Sequence, residues 1–470
     1  MRISKLLSCC LLLVMVTFGF LSCRKKDKVD TSPSMQLAFS TDTVFFDTVF
    51  PSLGSITKRL VVYNNNANKV SISSIRLAGG TASSYRLNVN GTPASDLSNV
   101  EIPGDDSIYI FVRVTIDPQN VSTPYIVSDL IEFMTNGNPQ QVKLVSWGRE
   151  AVFYHNESIS GSITWDSLLA HVIYGSLRID TNSTLTIMPG TKVYLHKDAY
   201  LAVSYQSSLK VQGTLEHPVR VQGDRMDPYY KDLPGQWGGI YLEKGSRDHD
   251  MNYAYIKNGI FGVAVDSLGR DGAPMLNMSN CIIQNMSSVG IYAYGSSING
   301  VNCVIGDCGG NCLSVNYGGE YDFRYLTVGN YWFASVRHAA SVYLNNYTYD
   351  TLTGNKIFSP LKKAWFTNAI IYGTNDDEIE LDSAGGAMFN YQFDHALLKT
   401  KLKTNNPLKY INCLVNKDPK FVDAYKLNYQ IDSISPAIKA AKDIGIPRDI
   451  RGNNRGQEPA LGAYEYVKGK

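Results

Sequence analysis

Through the C-terminal two-thirds of the chain an apolar–variable–apolar trio keeps returning. It appears at Ala254-Tyr255-Ile256, Cys281-Ile282-Ile283, Cys303-Val304-Ile305, Leu326-Thr327-Val328, Ala369-Ile370-Ile371, Ala396-Leu397-Leu398 and Cys413-Leu414-Val415. The first position is apolar and mostly small, the third is Ile, Val or Leu, and the middle one varies. That alternation predicts a strand whose outer two positions are buried and whose middle position faces out. Recurrence at a short interval, with no helical period between copies, predicts a solenoid of short strands, one coil per repeat. One coil cannot bury its apolar face, whereas stacked coils share a continuous core.

The slot two residues after the last trio position, or close to it, carries Asn258, Asn285, Asp307 and Asn330. Short polar side chains there satisfy corner backbone groups and tolerate left-handed turns, which predicts a structural ladder; a polar binding row is the alternative. The middle trio slots Tyr255, Ile282, Val304, Thr327, Ile370 and Leu397 are mostly apolar. An outward apolar row predicts a cover over that side, either a loop or another domain.

Residues 37–150 carry a different pattern. Val44-Phe45-Phe46 and the runs 58–63, 72–77, 85–89, 108–116, 126–134 and 141–145 alternate between turn clusters such as Asn64-Asn65-Asn66. Strands at that spacing without helical stretches predict a β-sandwich. Ahead of them, Arg2 and Lys5 precede an uncharged apolar run over 6–21 that is shorter than the ~20 residues of a membrane span, which reads as an export signal over 1–23. Basic residues 24–28 open a solvated tether over 24–36.

Composition changes this picture little. A formal net charge of +2 gives no electrostatic reason for a nucleic-acid partner, and 39 Gly with 30 Tyr suit strands and turns. No GxSxG elbow, P-loop, HExxH helix or dinucleotide fingerprint is present. Cys281, Cys303 and Cys413 occupy the first trio slot and read as small buried residues, while Cys308 and Cys312 are close enough in sequence to pair in an oxidising compartment. No His accompanies them at ligand spacing, so no zinc or other metal site is assigned.

Four resemblances follow from these residues. Phe20-Leu21-Ser22-Cys23 resembles the lipobox of bacterial lipoproteins, with Phe20 where Leu is usual. It implies that Cys23 is lipidated and that the protein is anchored in the cell envelope, on the outer membrane, with the membrane as a partner. Phe46-Asp47-Thr48-Val49, Val62-Tyr63-Asn64-Asn65 and Phe133-Met134-Thr135-Asn136 resemble the immunoglobulin-like domains of the abnormal-spindle/hydin group. Residues 185–191, 209–214 and Trp237-Gly238-Gly239-Ile240-Tyr241-Leu242 resemble the first coils of the right-handed parallel β-helix family shared with pectate lyases. That resemblance implies coils over 151–425 stacked ~4.8 Å apart. Ser435-Pro436-Ala437-Ile438, Asp449-Ile450-Arg451-Gly452 and Leu461-Gly462-Ala463-Tyr464-Glu465 resemble the closing region of secreted bacterial β-helix proteins. Residues 426–470 are therefore expected to cover the last coil. The fold class is all-β: an immunoglobulin-like sandwich followed by a right-handed parallel β-helix.

The β-helix resemblance implies glycan as the partner, bound or cleaved. Related lyases hold Ca²⁺ in clustered carboxylates and use Arg or Lys as base. The matching candidates here are Asp224, Arg225 and Asp227, then Asp248, His249 and Asp250, with Asp266 and Arg270 beyond. Ca²⁺ is implied only for the lyase reading, since it needs six to eight oxygens; solvated loop charges are the plain alternative. For stacking on sugars the aromatic residues around the loops are Tyr229, Tyr230, Trp237, Tyr292, Tyr294, Tyr317, Tyr321, Tyr331 and Trp332, with Tyr229, Tyr230, Trp237, Tyr321 and Trp332 as the glycan-binding candidates, against a reading as corner packing. Three functions stay open at this point: an envelope lipoprotein that binds or helps process glycan, a lyase or hydrolase acting on acidic glycan, and a structural adhesin.

Overall fold

The computed structural model describes residues 28–49, 55–117, 125–148, 150–226, 229–267 and 273–468. The signal segment, Cys23, Asp227 and Arg270 lie outside the described residues. The chain divides into two compact units that meet at Glu150 and Ala151.

The first unit is an all-β sandwich of two sheets around one core. One sheet orders Ala38–Phe39, Lys58–Asn64, Asp106–Val114, Tyr85–Val89 and Thr92–Ala94. The other orders Thr43–Val49, Asn138–Gly148, Tyr125–Thr135 and Val70–Leu77, with short strands beyond. Asp106–Val114 alternates strictly between buried and exposed side chains after its first two residues, so Ile108, Ile110, Val112 and Val114 all enter the core. Opposite them lie Ile72, Phe133, Val142 and Leu144. Tyr85 is fully buried and its hydroxyl donates to Val127 O at 2.8 Å, so the polar end of a core ring is satisfied.

The second unit is a parallel β-helix, its strands forming one 26-stranded sheet wound into coils. Each complete coil contributes to three faces. The trio face holds Ala254–Lys257, Ile282–Met286, Val304–Cys308, Thr327–Asn330 and Ile370–Gly373, paired in parallel. A second face runs through residues 176–179, 200–203, 239–242, 261–266, 289–294, 313–316, 342–345 and 379–382. A third runs through 184–187, 208–212, 249–252, 276–279, 298–301, 319–324 and 361–367.

Parallel in-register pairing stacks like on like inside. Ile256, Ile283, Ile305, Val328, Ile371 and Leu398 form one inward column, each at most 1% exposed. Phe323, Phe366, Phe393 and Tyr410 form another, with successive centroids 5.6, 5.1 and 5.6 Å apart. Gly300 precedes Phe323 in that column because a Cβ there would lie 2.5 Å from the Phe323 ring.

The corners are left-handed. Tyr253, Asn280, Asn302, Tyr325, Asn368, His395 and Asn412, each just before a trio, have φ between 44° and 58°. Asn reaches that region at low steric cost, which accounts for its recurrence there. The predicted polar slot also behaves as a ladder. Asn285 Nδ2 donates to Asn258 Oδ1 at 2.9 Å, and Asn330 Oδ1 accepts the Cys308 N–H at 3.1 Å. The five described cysteines are free thiols, so Cys308 and Cys312 are unpaired as disulfides here.

The C-terminal segment departs from the expectation that it covers the last coil. It runs back along the trio face instead. Ala463 N–H donates to Thr327 Oγ1 at 2.8 Å, Asn368 Nδ2 to Lys442 O at 2.8 Å, Asn302 Nδ2 to Arg448 O at 2.9 Å and Gln284 Nε2 to Leu427 O at 3.2 Å. Ile370 and Leu397 pack with Ile431, Ala437 and Leu461, while Val304 packs with Tyr429, Ile450 and Tyr464. The outward apolar row demanded a cover, and this segment is the cover. Burial of that row outweighs capping of a single coil because it removes far more apolar area from water.

Candidate functional site

Asp224 follows strand Val219–Gly223 at a coil corner. Its Oδ2 lies 2.7 Å from His196 Nδ1 and 3.5 Å from the Tyr174 hydroxyl. The hydrogen bond to Asp224 raises the His196 pKa above the usual histidine value. His155, Tyr174 and His196 come from successive coils and stack at 4.9 and 4.5 Å. Beside them the Arg225 guanidinium sits 3.1 Å from the centroid of Tyr230, which meets Tyr229 edge-on at 4.9 Å. Thus Asp224, Arg225, Tyr229 and Tyr230 gather at one corner.

The remaining described acid–base candidates do not join them. Asp248 and Asp250 are exposed and flank His249, which belongs to the third face. His249 is 0% exposed; its Nδ1 accepts the Leu209 N–H at 3.0 Å and its Nε2 lies 3.0 Å from Ser246 Oγ. Burial pushes its pKa down to about 3, so it is a neutral core side chain and does not face substrate. Asp266 ends Phe261–Asp266 on the second face, where burial raises its carboxyl above the usual range. No group of three or more His, Cys, Asp or Glu among the described residues converges to hold a metal ion. With Asp224 engaged by His196 and Asp248, Asp250 and Asp266 on separate faces, the described carboxylates do not fit a Ca²⁺ site.

Three of the aromatic candidates are turned inward. Trp237 is 0% exposed and its Nε1 donates to Lys257 O at 2.9 Å. Tyr321 is equally buried, donating to Gly318 O at 3.0 Å and accepting the Ser296 N–H at 3.2 Å. Trp332 is 9% exposed and donates to Ser335 Oγ at 2.9 Å. Trp237 and Trp332 flank strands and Tyr321 points into the core from within one, each with its polar atom satisfied locally, so none offers a face to a sugar. Tyr229, at 71% exposure, is accessible.

Sequence alone marks Tyr292 and Tyr294 as aromatics around the loops but misses the columns they belong to, which lie on the second face. Its outward column reads Arg178, Ala202, Tyr241, Ala264, Tyr292, Ser314, Tyr343 and Glu380, coil by coil. Tyrosine occupies every second coil from Tyr241 to Tyr343, with a small residue between. Tyr241 and Tyr292 are 37% and 39% exposed. Phe261 and Tyr200 brace Tyr241 edge-on, at 4.6 and 5.6 Å. Tyr343 and Tyr347 hydroxyls each donate to Asp382 Oδ2 at 2.8 Å, and Asn345 Nδ2 adds a third contact at 3.3 Å. Partial burial alone would raise the Asp382 pKa, but these hydrogen bonds outweigh it and hold the carboxyl below its usual range. At the other end Arg178 pairs with Glu243 at 2.5 Å. Asp266, Tyr294 and Asn316 line the neighbouring polar column.

Residues 157–293 match a family model described as a pectate-lyase-like beta helix domain. No curated protein matches the chain. Among solved structures, it is similar to a family 123 glycoside hydrolase from Clostridium perfringens at 12% identity and a TM-score of 0.18, covering 26% of each chain. The chain therefore spans about a quarter of that enzyme's length. The ASH/PapD-like domain 7 of human CEP192 aligns at 11% identity and a TM-score of 0.19, over 28% of this chain and 96% of that one. The periplasmic chaperone SfaE aligns at 15% identity and 0.17, over 24% and 58%.

Proposed function

We propose that this protein is a cell-envelope lipoprotein whose β-helix binds glycan on its second face without needing to cleave it. The observation that carries the reading is the outward column of Tyr241, Tyr292 and Tyr343. Flat rings stack on the apolar C–H faces of sugars, and the adjoining Asp266, Asn316 and Asp382 supply polar partners for hydroxyls. The pectate-lyase-like match over 157–293 agrees with a glycan-directed β-helix. Lipidation of Cys23 would tether the chain to the outer membrane, with the sandwich between anchor and β-helix in chain order.

The test is affinity electrophoresis of the purified protein in gels cast with a panel of polysaccharides. Retardation by at least one glycan, lost when Tyr241, Tyr292 and Tyr343 are all changed to Ala, supports the reading; free migration through every glycan sinks it. Incorporation of labelled fatty acid, abolished by Cys23→Ser, tests the anchor separately.

A catalytic reading is kept for one reason: the Asp224–His196 pair with Arg225 beside it resembles an acid–base corner. Release of unsaturated or reducing ends that stops on Asp224→Asn would establish it.

A further inference from the structure

Resting on the proposal that the second face binds glycan, we infer that its ligand is an extended, uncharged chain of β-linked pyranoses. The chain lies along the β-helix axis, and alternate rings stack on Tyr241, Tyr292 and Tyr343.

The spacing carries the first part. Parallel coils rise ~4.8 Å each, so tyrosines two coils apart are separated by roughly 10 Å. Two pyranose rings in an extended 4-linked β-chain cover that length, and such a chain turns the same ring face to one side at every second sugar. A tyrosine ladder with a two-coil period therefore meets a chain with a two-ring period. The intervening sugar passes over Ala264 or over Ser314, a small side chain that is itself buried at 4% exposure and accepts from Asn316 Nδ2 at 2.9 Å. A compact or tightly coiled α-linked chain has no such repeat.

The small residues are what keep the rings available. Where this β-helix puts aromatic rings in register on adjacent coils, they turn their faces to each other, as His155, Tyr174 and His196 do at 4.9 and 4.5 Å and Phe323, Phe366 and Phe393 do inside. Ala264 between Tyr241 and Tyr292, and Ser314 between Tyr292 and Tyr343, prevent that mutual stacking.

Charge carries the second part. A uronate at each ring asks for a row of Arg or Lys, since carboxylates are received by paired donors. The outward column has one cation, Arg178, at its far end and already paired with Glu243. Near the tyrosines the carboxylates are Asp266, Glu380 and Asp382. Among the described residues the cations that reach them are only Lys244, which acts on Asp266, and Lys356, which acts on Asp382 and lies over the Tyr347 ring, so no cation row follows the ladder. The carboxylates repel a polyanion and accept hydrogen bonds from neutral hydroxyls.

The experiment is isothermal titration of the full-length soluble chain, with the signal segment removed, against three probes: cellobiose, cellohexaose and a galacturonate hexamer. Cellohexaose should bind, cellobiose at least tenfold more weakly, and the uronate hexamer more weakly still. Tyr292→Ala should weaken cellohexaose binding roughly tenfold, while Tyr292→Phe, which keeps the ring, should change it little. Ala264→Tyr adds an aromatic ring yet should also weaken binding, because it lets Tyr241 and Tyr292 stack through it; unchanged thermal unfolding confirms that this variant folds. If the uronate hexamer binds as tightly as cellohexaose and depends on Tyr292, the ligand class is wrong and the glycan reading survives. Cellobiose binding as tightly as cellohexaose, or tighter binding by Ala264→Tyr, overturns the axial two-ring arrangement. Failure of every sugar, joined to failure across the polysaccharide panel, removes the glycan reading itself.

Discussion

Arg337 grips Glu378 through both terminal guanidinium nitrogens, Nη2 to Oε1 at 2.7 Å and Nη1 to Oε2 at 2.9 Å, with side-chain exposures of 1% and 0%. Glu378 also accepts the Ser341 N–H at 3.1 Å and the Asn375 N–H at 2.8 Å, and Arg337 donates to Asn330 O at 3.2 Å. The pair thus fastens the loop after Asn330 to two coils. Removing one partner strands a charge in the dry wall, which costs about 3–5 kcal/mol, whereas removing both costs far less. Glu378→Gln should markedly lower the urea midpoint of the β-helix transition. Arg337→Met combined with Glu378→Gln, which keeps an acceptor for the Ser341 and Asn375 N–H groups, should recover most of the loss; equal losses for single and double variants would contradict this.

Asp307 stands in a slot where other coils carry Asn258, Asn285 and Asn330. It is 2% exposed, and its Oδ1 has no hydrogen-bond partner. Burial raises its pKa to about 6, against lowering by the Tyr331 backbone and Arg337. The folded state therefore holds this proton more tightly than the unfolded chain, and the associated stability is lost as pH rises from about 4 through 6. Asp307→Asn should raise the unfolding temperature at pH 7.5 and lose that advantage near pH 4. An advantage independent of pH would mean that charge burial is not its source.

His249 and His171 pull the other way. Burial lowers them to about 3 and about 4, so the unfolded chain takes up protons first as the solution is acidified. Their contribution is intact above pH 6.5 and is lost as pH falls from there through the folded values, by up to ~1.4 kcal/mol per pH unit for each group. Replacing His249 by Gln, which keeps an acceptor for the Leu209 N–H, should flatten the acid limb of a stability–pH curve. An unchanged limb would assign acid unfolding to other groups.

These sites show what sequence can and cannot reveal. The inward column was legible because Ile256, Ile283, Ile305 and Val328 sit at the same place in a short alternating motif, and parallel stacking needs nothing more. The left-handed corners carried a readable sign too, Asn immediately before the trio at 280, 302, 368 and 412. Alternation also placed His249 inward, between exposed Asp248 and Asp250, had it been applied there. The column through Tyr292 was different, although Tyr292 itself stood out as an aromatic near a turn. Its neighbours Ala264 and Ser314 belong to other coils, joined through connections of unequal length, so only register shows them as a column. Trp237, Tyr321 and Trp332 failed as surface candidates because an aromatic near a turn carries no mark of which way its ring points.

The C-terminal cover provides the last prediction. Tyr429 lies against Gly306 and Gly329, where an added Cβ would meet its ring at 2.5 and 2.4 Å. Val304, Tyr325, Ile370 and Leu397, all at most 1% exposed, owe that burial in part to the same segment. At ~1.5–3 kcal/mol for each large apolar side chain, re-exposing this row costs on the order of 10 kcal/mol, comparable to the whole stability of a domain. A chain ending at residue 420 should accordingly bind a hydrophobic dye strongly and aggregate. Gly329→Ala should do less, displacing Tyr429 and lowering the unfolding temperature while leaving the rest of the cover seated. If the shortened chain instead stays monomeric, dye-silent and as heat-stable as the full one, the trio face needs no cover and the segment must serve something else.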